Sequence, residues 1–243
     1  MAIENEKITY RDGDTLLSGL LYANSAKTGK GPGLLLVHHA YGLDDHARQH
    51  AAAYAEAGFV VFACDMYGSE VAGNRERTTA LLMEMRGNPG KLVSRGRAGL
   101  DVLSAHPLVD GRLAAIGYCF GGMTVLQMAR FGADLVGAVS VHGSLATVAP
   151  AVSGAIKGKI LVCHGALDPH VPMAHVAAFI EEMKQARADW QLIMYGDAMH
   201  GFTSKVASVN PGVAYNAAAD ARSTTAINNF FAELFWQTNP VDA

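Results

Sequence analysis

The sequence of 243 residues predicts an α/β protein with a mostly parallel, doubly wound sheet of about eight strands and helices on both faces. Apolar, β-branched runs alternate with segments of helical periodicity along the whole chain. Hydrophobic residues make up 50% and charged residues 17%, enough to bury both faces of a parallel sheet under helices. Because no linker or repeat interrupts the alternation, we expect a single domain over residues 1–243.

The strands are predicted from short apolar runs bounded by Gly or polar residues. The first two are expected to pair antiparallel across the turn at Arg11–Asp14. The others are separated by helices, the arrangement that makes parallel neighbours. The predicted strands are Lys7–Tyr10, Leu16–Tyr22, Leu34–His39, Val60–Asp65, Leu113–Tyr118, Leu135–His142, Ile160–His164 and Gln191–Tyr195.

The helices are predicted from apolar residues recurring every three or four positions. Ala47, Ala51 and Ala55 show this spacing, and Gly58 is expected to end their helix. Asn88-Pro89-Gly90 separates two further helices without indicating a domain boundary. The predicted helices are Asp45–Ala57, Arg75–Met85, Lys91–Ser104, Gly122–Phe131, Pro172–Ala186 and Tyr215–Trp236.

The segment Gly117–Gly121 has the pattern Gly-x-Cys-x-Gly between a predicted strand and a predicted helix. This pattern is typical of a nucleophile elbow, a sharp turn that holds its central residue in a strained conformation and exposes its side chain. The two glycines remove Cβ atoms that would otherwise collide. The helix N-terminus below favours a thiolate, so Cys119 is the candidate nucleophile.

A cysteine nucleophile requires a base, and the base requires a group that orients it. Asp168 lies just beyond the predicted strand Ile160–His164, and His200 lies in the loop after Gln191–Tyr195. The order nucleophile, acid, histidine is that of α/β-hydrolases, and all three residues follow strand C-termini. We therefore expect Cys119, Asp168 and His200 to meet at one edge of the sheet.

The sequence resembles the dienelactone hydrolase family, a cysteine-nucleophile branch of the α/β-hydrolases. The shared segments are Gly117–Gly122, His164–Asp168, His200–Phe202 and Cys64–Gly68, and the similarity extends from about residue 8 to about residue 235. The resemblance implies the α/β-hydrolase fold, a Cys119–His200–Asp168 triad and the hydrolysis of esters or lactones.

An oxyanion hole is expected from two backbone N–H groups. One is that of Phe120, directly after the nucleophile, and the other comes from the loop after the strand Leu34–His39. The resemblance implies that Ala40 supplies this second donor. In the same loop His39 stands where well-known family members have a glutamate that contacts the resting thiol. His39 is therefore expected either to form an ion pair with the thiolate or to line the pocket.

Further pocket candidates are Tyr41, Tyr118 and Phe202. Family members that act on dienelactone hold the substrate carboxylate with arginines, one of them shortly after the catalytic histidine. Here no arginine follows His200 closely, and the remaining cations are Arg75 and Arg77 on a predicted helix and Lys205. Lysine lacks the bidentate fork of arginine. We therefore expect neutral esters or lactones to be better substrates than dienelactone.

Composition limits the possible partners. The net charge of −3 provides no basic surface for nucleic acid or an anionic membrane. Met1–Lys7 is polar, and three cysteines do not form a disulfide framework, so we expect a cytoplasmic protein. A monomer and a homodimer both stay open. Cys64 and Cys163 are expected in the core. No motif indicates a cofactor, and none is expected. The zinc-like spacing of His46 and His50 is interpreted as two solvent-facing histidines, so no metal is expected.

Three functions remain open from the sequence. The first is hydrolysis of aryl esters or enol lactones through a thioester on Cys119, with dienelactone itself as a variant. The second is hydrolysis of activated phosphotriesters by the same residues. The third is a non-catalytic sensor in which Cys119 responds to oxidants, although such a thiol usually has a resolving cysteine nearby.

Overall fold

The computed structural model of the chain describes residues 3–71, 74–206 and 210–236. Within these residues eight strands form one sheet: β1 (Ile3–Asp12), β2 (Thr15–Asn24), β3 (Gly31–Val37), β4 (Val60–Cys64), β5 (Val109–Tyr118), β6 (Gly137–Val141), β7 (Lys159–Gly165) and β8 (Trp190–Tyr195). Their spatial order is β1-β2-β4-β3-β5-β6-β7-β8. The two pairs that include β2 are antiparallel, and the other five are parallel.

Six helices connect the strands in the described ranges: α1 (Asp45–Ala57), α2 (Arg75–Gly87), α3 (Pro89–Ser104), α4 (Phe120–Arg130), α5 (Met173–Ala186) and α6 (Ala217–Phe235). The Asp44 side chain accepts the Ala47 N–H and begins α1, and Gly58 ends it with a left-handed backbone at φ 112°. Among residues 3–71, 74–206 and 210–236, no helix has the length and apolar character needed to cross a bilayer.

The core lies on both faces of the sheet because successive strand residues point in opposite directions. Leu34 and Leu36 of β3 pack with residues of α1 and α6. Leu35 and Val37 of the same strand pack with residues of α3 and α4 on the other face. A third cluster packs α5 against β6 and β7. The predicted fold class, a mostly parallel sheet with helices on both faces, is confirmed.

Each predicted strand and helix corresponds to an observed one, with differences at the ends. β6 is shorter than predicted because the N–H of Leu135 donates to Ala133 in a turn. α6 begins later than predicted because the side chain of Asn216 caps it by accepting the Ala219 N–H. β1 begins earlier than predicted, since its pairing with β2 extends back to Ile3.

The strand order reverses direction between β3 and β5, which are parallel neighbours. The chain proceeds outward from β3 to β4 on one side and from β5 to β8 on the other. In open α/β sheets, ligands bind where the strand order reverses, beyond the C-terminal ends of the strands. The loop after β3 and the turn after β5 therefore form the expected place for a site.

Candidate active site

Cys119 occupies the turn between β5 and α4 with φ 53° and ψ −109°, a conformation that costs energy for a residue with a side chain. Its N–H is directed at Val141 O, 2.9 Å away, and at His142 Nδ1, 3.1 Å away. A Cβ on Gly121 would overlap the carbonyl oxygen of Val37, and one on Gly117 would overlap the Gly121 backbone. Glycine is therefore required on both sides of the turn.

The three residues predicted to act together are brought together. His200 Nε2 lies 3.0 Å from Cys119 Sγ, and His200 Nδ1 lies 2.8 Å from Asp168 Oδ2. The other carboxylate oxygen of Asp168 accepts the His170 N–H at 2.8 Å. Cys119, Asp168 and His200 follow β5, β7 and β8, so the parallel sheet places them at one edge. The arrangement can move a proton from the thiol to the imidazole.

The electrostatics of the triplet favour a charged histidine. Burial would lower the pKa of His200, but hydrogen bonds to Asp168 and Cys119 outweigh burial and raise this pKa to about 10. Burial would likewise raise the pKa of Asp168, but the hydrogen bond from His200 keeps it below the ordinary value. The side chain of Asp168 is fully buried (0% exposed) and that of His200 is 12% exposed, so solvent screens this pair little. The imidazolium form of His200, paired with the Asp168 carboxylate, is therefore favoured.

The two expected oxyanion donors lie on either side of the strand reversal. Phe120 is the first residue of α4, and the N–H groups of a first helical turn have no partner within the helix. Ala40 lies in the turn after β3, and its carbonyl oxygen accepts the hydroxyl of Tyr67 at 3.0 Å. The close approach of Gly121 to Val37 shows that the start of α4 packs directly against the end of β3.

His39 is held within its own loop. Its Nε2 lies 3.0 Å from Asp44 Oδ2, and its Nδ1 accepts the Tyr41 N–H at 3.1 Å. Burial raises the pKa of Asp44, but the bond to His39 more than offsets this and lowers it. Both ring nitrogens are thus engaged with Tyr41 and Asp44, and the ion pair with the thiolate considered from sequence stays a prediction.

One side-chain group, His39, Asp44 and His46, places possible metal-ligand atoms within 4.8 Å of one another. However, His39 Nδ1 is a hydrogen-bond acceptor, so in the neutral ring Nε2 carries the proton that faces Asp44. A metal would require that nitrogen to be deprotonated and Nδ1 to donate. The arrangement fits a hydrogen-bonded pair better than a ligand set, and the absence of a metal stays a prediction.

The cations considered for a substrate carboxylate have other contacts. The Arg75 guanidinium lies 5.6 Å from the centre of the Tyr41 ring, and Tyr41 is exposed. Arg77 donates to Glu70 O at 3.3 Å on the exposed face of α2. Lys205 Nζ lies 5.9 Å from the centre of the Tyr215 ring. These contacts leave the expectation of neutral substrates in place as a prediction.

Two pocket candidates lie in the core. Tyr118 is 1% exposed, and its hydroxyl is within 3.1 Å of both Tyr54 Oη and His50 Nδ1. Phe202 is fully buried (0% exposed) and packs edge-on against the ring of His142. Both side chains therefore belong to the core next to the site and do not form an open pocket surface.

The interpretation of His46 and His50 as solvent-facing is wrong. Burial, as the largest cause, lowers the pKa of His46 to about 3 and that of His50 to about 4. His46 Nε2 lies 3.3 Å from Thr203 Oγ1, and the His50 ring stacks on Tyr118 at 4.4 Å. The face of α1 that carries them packs against the end of β5. The sequence did not indicate this because histidine is polar and is expected on the solvent-facing side of a helix.

Two buried histidines that the sequence did not single out contact the backbone of the site. His142 accepts the Cys119 N–H through Nδ1, so its Nε2 carries the proton and donates to Thr203 Oγ1 at 2.9 Å. Burial, with His200 as the next cause, holds the pKa of His142 well below the ordinary value. His38 contacts the loop that carries Ala40 through Nδ1, which lies 2.6 Å from the carbonyl oxygen of His39. In the sequence, only the position of His38 and His142 at the ends of predicted strands indicated that they could lie near the site.

Known proteins resemble the chain over most of its length. A sequence model described as "Dienelactone hydrolase family" matches residues 17–235. The crystal structure of P91, a dienelactone hydrolase-like promiscuous phosphotriesterase from metagenomic libraries, is 38% identical, with a TM-score of 0.91 and coverage of 97% of this chain and 100% of that one.

Two curated relatives extend the comparison. An uncharacterized Caenorhabditis elegans protein, K02A2.1, is 40% identical over 151 residues, covering 60% of this chain and 96% of its own. A Bradyrhizobium protein is 27% identical over 193 residues, covering 74% of this chain and 77% of its own. The name of the Bradyrhizobium protein is "Probable 2-oxo-3-(5-oxofuran-2-ylidene)propanoate lactonase".

Proposed function

The chain belongs to the dienelactone hydrolase family, and from this premise we propose that it hydrolyses neutral aryl esters or enol lactones with Cys119 as nucleophile, His200 as base and Asp168 as orienting acid. The observation that carries the proposal is the pair of contacts made by His200, 3.0 Å to Sγ and 2.8 Å to the carboxylate. These are the distances needed for proton transfer and for holding the ring.

The reaction proceeds in two halves. The Cys119 thiolate attacks the carbonyl carbon, and the N–H groups of Phe120 and Ala40 stabilise the oxyanion that forms. The carbon–oxygen bond to the leaving group then breaks, the alcohol or phenol takes up a proton from His200, and a thioester remains. Water gives a proton to His200 and attacks the thioester. The carbon–sulfur bond breaks, releasing the acid and the thiolate.

The leaving group determines which esters are productive. The tetrahedral adduct can expel either the thiolate or the alkoxide, and the thiolate leaves more readily than a simple alkoxide. An aryloxide or enolate competes with the thiolate far better, so acylation should succeed mainly with phenolic or enol esters. The engaged state of Arg75, Arg77 and Lys205 supports a preference for neutral substrates.

The test is a comparison of kcat/KM for p-nitrophenyl and ethyl esters of one acid, and for dienelactone beside a neutral enol lactone. We expect strong preferences for the aryl ester and the neutral lactone, and loss of both activities in Cys119→Ala. Equal rates on ethyl and aryl esters would contradict the leaving-group argument. A marked preference for dienelactone would instead assign a carboxylate clamp to Arg75, Arg77 or Lys205.

Activated phosphotriesters are a second candidate substrate class, favoured by the resemblance to the promiscuous phosphotriesterase P91. The same thiolate and N–H donors would act on phosphorus in place of carbon. Adding paraoxon to the substrate panel tests this candidate, with turnover lost in Cys119→Ala as the expected result. If the enzyme hydrolyses aryl esters but leaves paraoxon intact, phosphotriesters are excluded as a substrate class.

A sensor role for Cys119 is less well supported. Cys64 and Cys163 are fully buried, and their sulfurs lie near Met66 Sδ and Tyr195 Oη. Burial raises the pKa of Cys64 above its usual range and that of Cys163 to about 11, so neither is suited to resolve an oxidised thiol. We retain the cytoplasm as the proposed location because a working thiol requires a reducing compartment.

A further inference from the structure

His38 is buried at the end of β3 (1% exposed), directly before the loop that carries Ala40. The Met66 N–H donates to His38 Nε2 at 3.2 Å. Since that nitrogen accepts, the proton of the neutral ring is on Nδ1. Nδ1 lies 2.6 Å from the carbonyl oxygen of His39 and therefore donates to it. Burial lowers the pKa of His38 to about 4, which keeps the ring neutral near pH 7.

The bond from His38 determines the direction of the Ala40 N–H. A peptide unit is planar, and in a trans peptide the C=O and the following N–H point to opposite sides. The described chain has no cis peptide bond, so the carbonyl of His39 and the N–H of Ala40 are opposed. His39 O faces the His38 ring and also accepts the Gly42 N–H at 3.3 Å. The Ala40 N–H consequently points away from the interior.

The next carbonyl along the loop is held as well. Tyr67 donates its hydroxyl to Ala40 O at 3.0 Å, so both peptide units of Ala40 are fixed by side chains. The Tyr67 ring stacks on Phe120 at 5.5 Å, and His38 stacks on Phe120 at 6.2 Å. The aromatic rings of His38, Tyr67 and Phe120 thus connect the loop that carries Ala40 to the start of α4.

We propose that His38 is a positioning residue of the oxyanion hole, which holds the Ala40 N–H in its donating direction by bonding the carbonyl of His39. The inference rests on the proposed function, since it assumes that an oxyanion forms at this place. An apolar ring could fill the same space. Only a side chain with a donor on one side and an acceptor on the other can connect His39 O to Met66 N–H.

The test uses three variants of the full chain. His38→Phe retains an aromatic ring at this position but removes both hydrogen bonds, while His38→Gln keeps one donor and one acceptor. Tyr10→Phe is the matched control, because it removes the buried bonds of the Tyr10 hydroxyl to Asp65 in the segment that carries Met66, without touching His38 or Ala40. Thermal unfolding monitors the fold of each variant.

Two rates are measured on each protein. Acylation by p-nitrophenyl acetate, followed as the burst of p-nitrophenol, passes through an oxyanion. Alkylation of Cys119 by iodoacetamide forms a carbon–sulfur bond as iodide leaves, and no oxyanion develops. The second rate therefore reports on the thiolate alone.

For His38→Phe we expect acylation to fall roughly 10- to 100-fold, because a misdirected donor loses part of the stabilisation that an oxyanion hole supplies. Alkylation should stay within about twofold of the original rate, since the thiolate and His200 are untouched. His38→Gln should regain most of the acylation rate, and Tyr10→Phe should retain it. Unchanged acylation in His38→Phe, no recovery in His38→Gln or an equal loss of alkylation would each overturn the inference.

Should His38→Phe not fold, His38→Gln and His38→Asn decide the question. Their amides are chemically equivalent, but the shorter side chain cannot reach both partners, so acylation should be roughly fivefold or more slower in His38→Asn at equal alkylation. Equal acylation would overturn the inference. Cys119→Ala distinguishes failure of the proposed function from failure of this inference. Full turnover in Cys119→Ala would overturn both. An inactive Cys119→Ala together with unchanged acylation in His38→Phe would overturn only the role of His38.

Discussion

Acidification below the ordinary pKa of histidine should destabilise this protein through its buried neutral histidines. His38 and His142 are 1% and 2% exposed, and each uses a ring nitrogen to accept a backbone N–H. Burial lowers the pKa of His38 from 6.5 to about 4 and holds that of His142 well below 6.5. Below pH 6.5 these histidines therefore bind protons in the unfolded chain but stay neutral in the folded protein. The contribution to stability is full above pH 6.5 and is lost as the pH falls towards the folded pKa.

The size of the loss follows from the linkage relation. Between pH 6.5, the unfolded pKa, and about pH 5.5, proton binding to one such histidine lowers the free energy of unfolding by about 1 kcal/mol. The lowered pKa values of His142, His46 and His50 act in the same direction and add to the loss from His38. His200, with its raised pKa, has nearly its full stabilising effect at pH 6.5, so between the two pH values it adds back well under about 1 kcal/mol.

The assay is urea unfolding at the two pH values on the original protein, His38→Gln and Tyr10→Phe. His38→Gln keeps the hydrogen-bonding pattern but removes one titrating group, so it should lose about 1 kcal/mol less than the original protein. Tyr10→Phe should be destabilised equally at both pH values, because burial raises the pKa of Tyr10 far above this range. A loss in His38→Gln equal to that of the original protein would refute the reasoning.

Two further predictions concern the elbow and the acid. Asp168→Asn should still fold but lose roughly 10²- to 10⁴-fold in turnover, because the amide cannot stabilise the imidazolium; a variant that retains full specific activity in its folded fraction would make Asp168 a turn residue only. Gly121→Ala should lower the free energy of unfolding by more than about 2 kcal/mol, because its Cβ would overlap the Val37 carbonyl. The matched variant Gly90→Ala, where a Cβ meets only Asn88 Oδ1 at 3.5 Å, should be neutral or stabilised by up to about 1 kcal/mol, and equal stability of the two variants would contradict the close approach.

The sequence was sufficient to predict the fold because the spacing of apolar residues indicates the strands and helices, and glycines indicate where they turn or end. Leu34 and Leu36 pack with one helical layer and Leu35 and Val37 with the other, as expected for a strand buried on both faces. The proximity of Cys119, Asp168 and His200 also followed from sequence, since each lies in the turn or loop that follows a parallel strand. Parallel strands bring their C-terminal ends to one edge whatever the residues between them.

The surroundings of the site could not be predicted in the same way. His46 and His50 are polar residues on the side of α1 that faces the interior. Only the packing of α1 on Tyr118 shows that they are partly buried. The role of His38 depends on a hydrogen bond from Met66, a residue of another strand end. Such contacts between loops that are far apart in sequence leave no periodic pattern to detect.

The most direct test of the account is to identify the group that carries the acyl chain during turnover. The enzyme is mixed with p-nitrophenyl acetate, quenched in acid within the burst and digested for mass spectrometry. We predict an acetyl group on Cys119, removed by hydroxylamine as expected for a thioester, and no acetylation or burst in Cys119→Ala. Turnover that proceeds with Cys119 unmodified, or an equal burst in Cys119→Ala, would contradict the central claim that this thiol is the nucleophile.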